Sequence, residues 1–172
     1  MGKRSDFERI ERDFYPTPYE AVLPLIPHLD NLDYVEPCAG DGALVKHLHT
    51  HDRFVISASD IEPRGDLIDK LDVFDLKQCD GDGFITNPPW DRKILHSLIA
   101  HLVSLTDGPV WLLFDADWMH TKQATELLRG CRTIVSVGRV KWIPDSKMTG
   151  KDNAAWYEFR RGTWMTTFYG RT

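Results

Sequence analysis

The apolar positions of the chain fall into short continuous runs separated by stretches with helical spacing. Val110-Trp111-Leu112-Leu113-Phe114 is strand-sized and unbroken, which reads as a parallel strand buried on both faces. Just before it, Ile94, Leu95, Leu98, Ile99, Leu102 and Leu105 recur every three or four residues. They predict a helix whose apolar face joins the core, with His96 and His101 off the stripe and exposed. Upstream, Tyr34-Val35-Glu36, Phe54 to Asp60 and Gly83-Phe84-Ile85 read as strands, and Ala43 to His49 as a helix. Leu67 to Leu71 predicts a further short helix, and Asp72 to Asp75 the end of a third strand. Near the N-terminus, Thr17 is placed as the N-cap of a helix running to about Leu29. Pro18 takes its first position, Glu20 completes a capping box, and Pro24 and Pro27 make it irregular.

After a helical segment at Ala124 to Leu128 the pattern changes. Ile134 to Val137, Val140-Lys141-Trp142-Ile143 and Ala154 to Phe159 are strand-like, with Gly138 as a bulge position, and Trp164 to Tyr169 adds an edge strand. Alternating strands and helices to about residue 129 imply an α/β fold with a mostly parallel sheet. The closing pair, around the polar residues 144–153, adds an antiparallel hairpin. No repeat, low-complexity stretch or linker divides the 172 residues, so one domain is expected, with residues 1–14 as a charged arm.

Composition narrows the class. Hydrophobic content of 42% and charged content of 27% are ordinary for a soluble globular protein, and no apolar run approaches membrane-spanning length. No signal peptide is recognisable at the start. Cys38, Cys79 and Cys131 have no paired spacing, which argues against a disulfide framework and a zinc site and fits a reducing cytoplasm. The net charge of −5 does not advertise nucleic-acid binding, but its distribution is uneven. Residues 129–172 hold 9 Lys/Arg and 3 Asp/Glu, a net of +6, whereas residues 1–128 hold 12 and 23, a net of −11. A basic end on an acidic body suits phosphates as well as it suits a merely solvated surface.

Three stretches carry candidate chemistry. In Glu36-Pro37-Cys38-Ala39-Gly40-Asp41-Gly42 a strand runs into a small-residue turn before a helix. Gly40 and Gly42 admit a close backbone approach to a ligand. The third glycine of a dinucleotide fingerprint is replaced by Val45, which disfavours a nicotinamide cofactor. Glu36 and Asp41 would repel phosphate and suit a ligand carrying an amino group. Asp60, at the end of the second strand, is placed to accept from ribose hydroxyls, with Ile61 packing on a base. Asp72 or Asp75 could accept from an exocyclic amine, and Asp72, followed by Val73, is preferred on its spacing ahead of Asn87. The third stretch is Thr86-Asn87-Pro88-Pro89-Trp90. Two prolines stiffen the chain at a strand end and hold the Asn87 carboxamide and the Trp90 ring in fixed relative positions.

In that order, Tyr15-Pro16-Thr17-Pro18, Glu36 to Gly42, Asp60 and Asn87-Pro88-Pro89-Trp90 resemble the amino-group DNA methyltransferases. More narrowly, the chain looks like the small phage-type adenine-N6 methyltransferases related to Dam, over roughly Asp13 to Phe159. The resemblance implies a Rossmann-like methyltransferase domain, S-adenosylmethionine as methyl donor and a flipped adenine in DNA as acceptor. It makes Tyr15, Pro16, Thr17 and the Glu36 turn the methionine-end contacts, Asp60 the ribose contact and Asp72 the adenine contact. Asn87, Pro88, Pro89 and Trp90 then form the catalytic loop, with Trp90 stacking on the base. The separate target-recognition insertion of Dam-like enzymes has no counterpart here. Nucleic-acid contacts are therefore assigned to Lys141, Lys147, Met148 and Lys151, around the 144–153 loop. Asn-Pro-Pro loops also serve enzymes that methylate RNA adenine or a protein glutamine amide, and the motif does not separate these acceptors. A methyl-donor-binding fold kept as a non-catalytic DNA-binding module is the remaining alternative. No metal is called for.

Overall fold

The unbroken apolar run at residues 110–114 does lie in the middle of a sheet, paired on both edges. The computed structural model describes residues 14–143 and 150–171. In chain order the elements are α1 (Tyr19–Val22), β1 (Asp33–Glu36), α2 (Ala43–His49), β2 (Phe54–Asp60), β3 (Asp69–Lys70), β4 (Gly83–Thr86), α3 (Arg92–Leu105), β5 (Val110–Asp115), α4 (Thr125–Leu128), β6 (Cys131–Arg139), β7 (Asn153–Phe159) and β8 (Thr167–Tyr169). Turns of 3₁₀ helix occupy Ile26–His28, Val73–Asp75, Ala116–His120 and Lys122–Ala124. The strands form one sheet in the order β3-β2-β1-β4-β5-β7-β6-β8. Pairing is parallel from β3 to β5, antiparallel on either side of β7, and parallel again between β6 and β8.

Strand alternation sorts the core into two layers. Phe84, Val110, Leu112, Phe114, Tyr157 and Phe159 face α3, which contributes Leu95, Leu98, Ile99 and Leu102. Ile85, Trp111, Leu113 and Trp156 face the opposite side, where α1 and α2 supply Ala21, Val22, Leu44 and Leu48. The crossovers α2 and α3 thus cover opposite faces, and the strand order reverses between β1 and β4. Ligands bind outside the carboxyl ends of strands at such a point.

Several sequence expectations are corrected. The first helix ends at Val22, because Pro24 lacks an N–H and its ring crowds the preceding turn. Pro18 stands at its N-cap with no side-chain cap, so Thr17 and Glu20 do not form a capping box. Residues 67–71 are not a helix. Leu67 is 95% exposed, and Asp69–Lys70 pairs with Ser59–Asp60 as the two-residue strand β3. Asp72 then caps a 3₁₀ turn rather than ending a strand, accepting from Phe74 N at 3.0 Å. Val140 to Ile143 leaves the sheet after β6, past a register shift at Gly138, whose φ is +82°. Ile94 is exposed rather than part of the core, while His96 and His101 are half-buried and bonded. Trp118 Nε1 donates to His96 Nε2 at 2.8 Å, and burial, with Arg92 nearby, lowers the His96 pKa, so the ring serves as a neutral acceptor. The His101 ring lies 2.9 Å from the Val73 carbonyl.

Candidate active site

At the reversal of strand order, between the carboxyl ends of β1, β2 and β4, lies a cavity of about 450 Å³. Its floor is the turn after β1. Glu36, Pro37, Cys38, Ala39, Gly40 and Asp41 all line it, while Gly42 stands just outside as the left-handed N-cap of α2, with φ +77°. The turn is held by its neighbours. Ala39 N donates to Ser59 O at 2.9 Å, Ala43 N to Asp41 Oδ1 at 3.0 Å, and Gly40 N to Asp60 Oδ2 at 2.8 Å. Asp60 Oδ1 takes Glu62 N at 2.7 Å, so the carboxylate at the end of β2 is clamped between two backbone donors. Asp60 and Ile61 form one wall, Asp72 and Val73 another.

Glu36 is the electrostatic centre of this cavity. It is 1% exposed, and among the described residues its Oε2 has no hydrogen-bond partner. Burial raises its pKa well above the carboxylate range, and the charges of Asp60 and Asp41 push the same way, against one backbone N–H from Val45. An unpartnered buried acceptor at a cavity wall suits a donor, and a cationic amine is the donor that would offset all three causes. Burial also pushes the Cys38 thiol up, with Asp60 and Glu36 adding to it, which leaves that sulfur unreactive.

The loop after β4 closes the site. Asn87 and Pro89 line the cavity, Pro88 is buried, and Trp90 is half-buried against both core layers without lining the cavity. Asn87 Nδ2 donates to the Tyr15 carbonyl and to Thr17 Oγ1, each at 3.3 Å. The N-terminal segment Tyr15-Pro16-Thr17 therefore lies beside Asn87 across 70 residues of sequence, and all three residues line the cavity. Trp90 Nε1 donates to Asn87 Oδ1 at 3.2 Å, a partner that the sequence did not suggest for this ring.

Phe14, Glu62, Arg64, Phe74, Asp91, Ile94 and Leu98 also line the cavity and were not among the predicted contacts. Phe14 rests on Gly40. A Cβ at Gly40, where φ is +56°, would meet Phe14 Cε2 at 2.7 Å, so the ring needs the glycine. The Arg64 guanidinium covers the same ring at 3.9 Å. Among the described residues, Arg64 is the one cation lining a cavity that also presents Glu36, Asp41, Asp60, Glu62, Asp72 and Asp91. Of the residues assigned to nucleic acid, Lys141 is half-buried and Lys151 exposed, and between them Gly150 N donates to Val140 O at 2.9 Å. Lys147 and Met148 lie outside the described residues. Among the described residues, no group of three or more His, Cys, Asp or Glu could hold a metal ion, and no helix is long and apolar enough to cross a membrane.

No protein-family model and no curated protein matches the sequence. Solved structures do match the fold. A protein described as an RNA methyltransferase, from Pyrococcus horikoshii, superposes with a TM-score of 0.57 at 14% identity, over 95% of this chain and 94% of that one. A chain from a type I restriction–modification system gives 0.63 at 14% identity, over 96% of this chain and 46% of that one. The M protein of the type I restriction enzyme EcoKI gives 0.55 at 12% identity, over 92% and 45%. The chain thus spans just under half the length of the two restriction–modification proteins. The fold is the Rossmann-like α/β fold of methyltransferases, with a mostly parallel sheet and antiparallel strands at its C-terminal side.

Proposed function

We propose that this chain transfers a methyl group from S-adenosylmethionine to the N6 amino group of adenine in DNA. The observation that carries the reading is the position of the Asn87 carboxamide. It sits at the carboxyl end of β4 and opens into an acid-lined cavity at the reversal of strand order.

The cavity fits the donor. Its volume is that of a small-molecule site. The orphaned Glu36 Oε2 would take the ammonium of the methionine end, beside Tyr15, Pro16 and Thr17. Asp60 would accept from the ribose hydroxyls, and Asp72 from the adenine amine, with Ile61 and Val73 against the ring. The surplus of carboxylates favours a ligand with two positive centres. S-adenosylmethionine, when bound, supplies an electrophilic methyl group on a cationic sulfonium.

The chain's own task is then to orient and activate a weak nucleophile. The lone pair of the adenine amino group is delocalised into the ring. Asn87 Oδ1 and the Pro88 carbonyl, accepting its two N–H groups, would draw that density back to nitrogen and aim it. Once the methyl group has passed to it and S-adenosylhomocysteine has been released, the amino nitrogen sheds one proton to solvent. Positioning and fixed dipoles supply the rate in this scheme, and neither a general base nor a metal is called for. The adenine must leave the duplex first, at a cost of a few kcal/mol.

Two of the structural neighbours come from restriction–modification systems and one is described as an RNA methyltransferase. The test is therefore run in parallel. Labelled donor is incubated with DNA, RNA and protein, and the products are read by mass spectrometry. N6-methyladenine in DNA is expected, and label confined to RNA or to glutamine would overturn the DNA assignment. Asn87→Ala should lower kcat by about 10²-fold or more while leaving affinity for S-adenosylhomocysteine within about twofold.

A further inference from the structure

The Asn87 carboxamide belongs to a closed ring of contacts. Nδ2 donates to the Tyr15 carbonyl and Thr17 Oγ1, and Oδ1 accepts from Trp90 Nε1 at 3.2 Å. The Trp90 indole meets the Trp142 ring edge-on, with centroids 5.3 Å apart. Trp142 meets the Tyr15 ring edge-on at 6.5 Å, and the Tyr15 backbone returns to Asn87. Gly150 leaves room for Trp142, since a Cβ there would lie 3.0 Å from its Cδ1. Three segments far apart in the chain thus converge around one amide.

The chemistry of the partners fixes which way that amide points. A backbone carbonyl can only accept, and an indole N–H can only donate. Nδ2 must therefore face Tyr15 and Oδ1 must face Trp90. The opposite orientation would set donor against donor and acceptor against acceptor. An amide oxygen has two acceptor sites, so one is taken by the indole and one is left for an incoming amino group. A turned amide would present N–H groups to the amino group and could not activate it.

We propose that Trp90 is a positioning residue. Its indole N–H holds Asn87 Oδ1 in the accepting orientation, and Trp142 holds the indole. The proposal rests on the reading of Asn87 as the acceptor of the substrate amino protons. It asks something of Trp90 that base stacking does not. Any aromatic face can stack, whereas only a ring N–H can make this bond.

The test separates the two roles. Trp90 is replaced by benzothienylalanine, which keeps the bicyclic shape and substitutes sulfur for the N–H. The expected result is a fall in kcat of about 10-fold, the size of one lost hydrogen bond, with KM for the nucleic acid and affinity for S-adenosylhomocysteine within about twofold of wild type. Trp90→Phe should show the same split. Wild-type kcat in the isostere would overturn the proposal and leave stacking as the role of the ring. The comparison is made on whichever acceptor the wild-type protein methylates, so a failure of the DNA assignment does not decide it. A second measurement needs no turnover. Solvent exchange of the Trp90 indole proton, followed by NMR, should be accelerated about 10-fold in Asn87→Ala. An unchanged exchange rate there would show that the bond is absent and sink the idea, whatever the acceptor proves to be.

Discussion

Glu36 carries the strongest local conflict in the molecule. A carboxyl group in the core of the β1 turn, with Asp60 and Asp41 close by, is held toward its protonated form. A group whose folded pKa lies above its unfolded value contributes stability that is fully present below the unfolded value and is lost as pH rises through the folded one. The ordinary value is 4.5, so the loss begins there and extends upward to the raised pKa. Glu36→Gln removes the ionisation and keeps the shape. The variant's thermal midpoint should therefore fall less than that of wild type as pH rises from about 4.5 toward neutrality, in the absence of donor. Donor binding should show the opposite preference. A bound ammonium favours ionised Glu36, so wild-type affinity for S-adenosylhomocysteine should rise across the same window, and the variant should bind more weakly with a flatter profile. Parallel melting curves in the two proteins across that window would remove Glu36 from this role.

Among the elements, those whose apolar pattern was dictated by burial were legible. β1, α2, β2, β4, α3 and β5 sit within a residue or so of where alternation, continuous runs and helical spacing place them. What failed was set by contacts that leave no local period. β3 has two exposed residues and exists only by pairing with the end of β2. Val140 to Ile143 alternates like a strand, yet Trp142 is drawn away to Tyr15 and Trp90. Glu36, Gly40, Asp41, Asp60 and Asp72 could be named from the sequence because strand ends and tight turns restrict which residues fit there. Phe14 and Arg64 could not, because their place depends on how the segment before α1 crosses the turn after β1. That crossing is testable. Gly40→Ala places a non-glycine residue at φ +56°, at a cost of about 1–2 kcal/mol, and pushes a methyl into Phe14. The variant should melt lower and bind donor more weakly. In a Phe14→Ala background the same change should cost less, because only the backbone strain remains. Strictly additive effects would show that Phe14 does not rest on Gly40.

At the scale of the whole molecule, the topology divides the basic C-terminal end between the two ends of the sheet. Cys131 and Phe159 pair near the start of β5, and Arg139 and Asn153 near its finish. Around the first end the arginines are occupied. Arg161 bonds to Asp107 at 3.1 Å and to the Ser104 carbonyl, Arg160 donates to the Asp107 carbonyl at 3.3 Å, and Arg129 pairs with Glu126 at 2.9 Å. Arg132 lies 3.9 Å from the buried Glu158. These charges tie the last strands to α3, α4 and their own neighbours, on the side away from the cavity. At the other end, on the cavity side of the sheet, stand Arg139, Lys141 and Lys151, of which Arg139 and Lys151 are exposed. The net of +6 is thus not one footprint, and only its cavity-side part can meet a phosphate backbone drawn over Asn87. Such contacts give affinity without reading sequence. Each lysine that meets a phosphate contributes about 0.7–0.9 to the slope of log K against log salt, the lower value for single strands. Lys141→Ala with Lys151→Ala should therefore flatten that slope by about 1.4–1.8, raise KM for DNA and leave donor affinity unchanged. Arg160→Ala, at the far end, should lower stability without altering the slope. If the double lysine variant keeps the wild-type slope while Arg160→Ala loses it, DNA docks at the opposite end of the sheet, and the adenine cannot be presented to Asn87 in the way proposed.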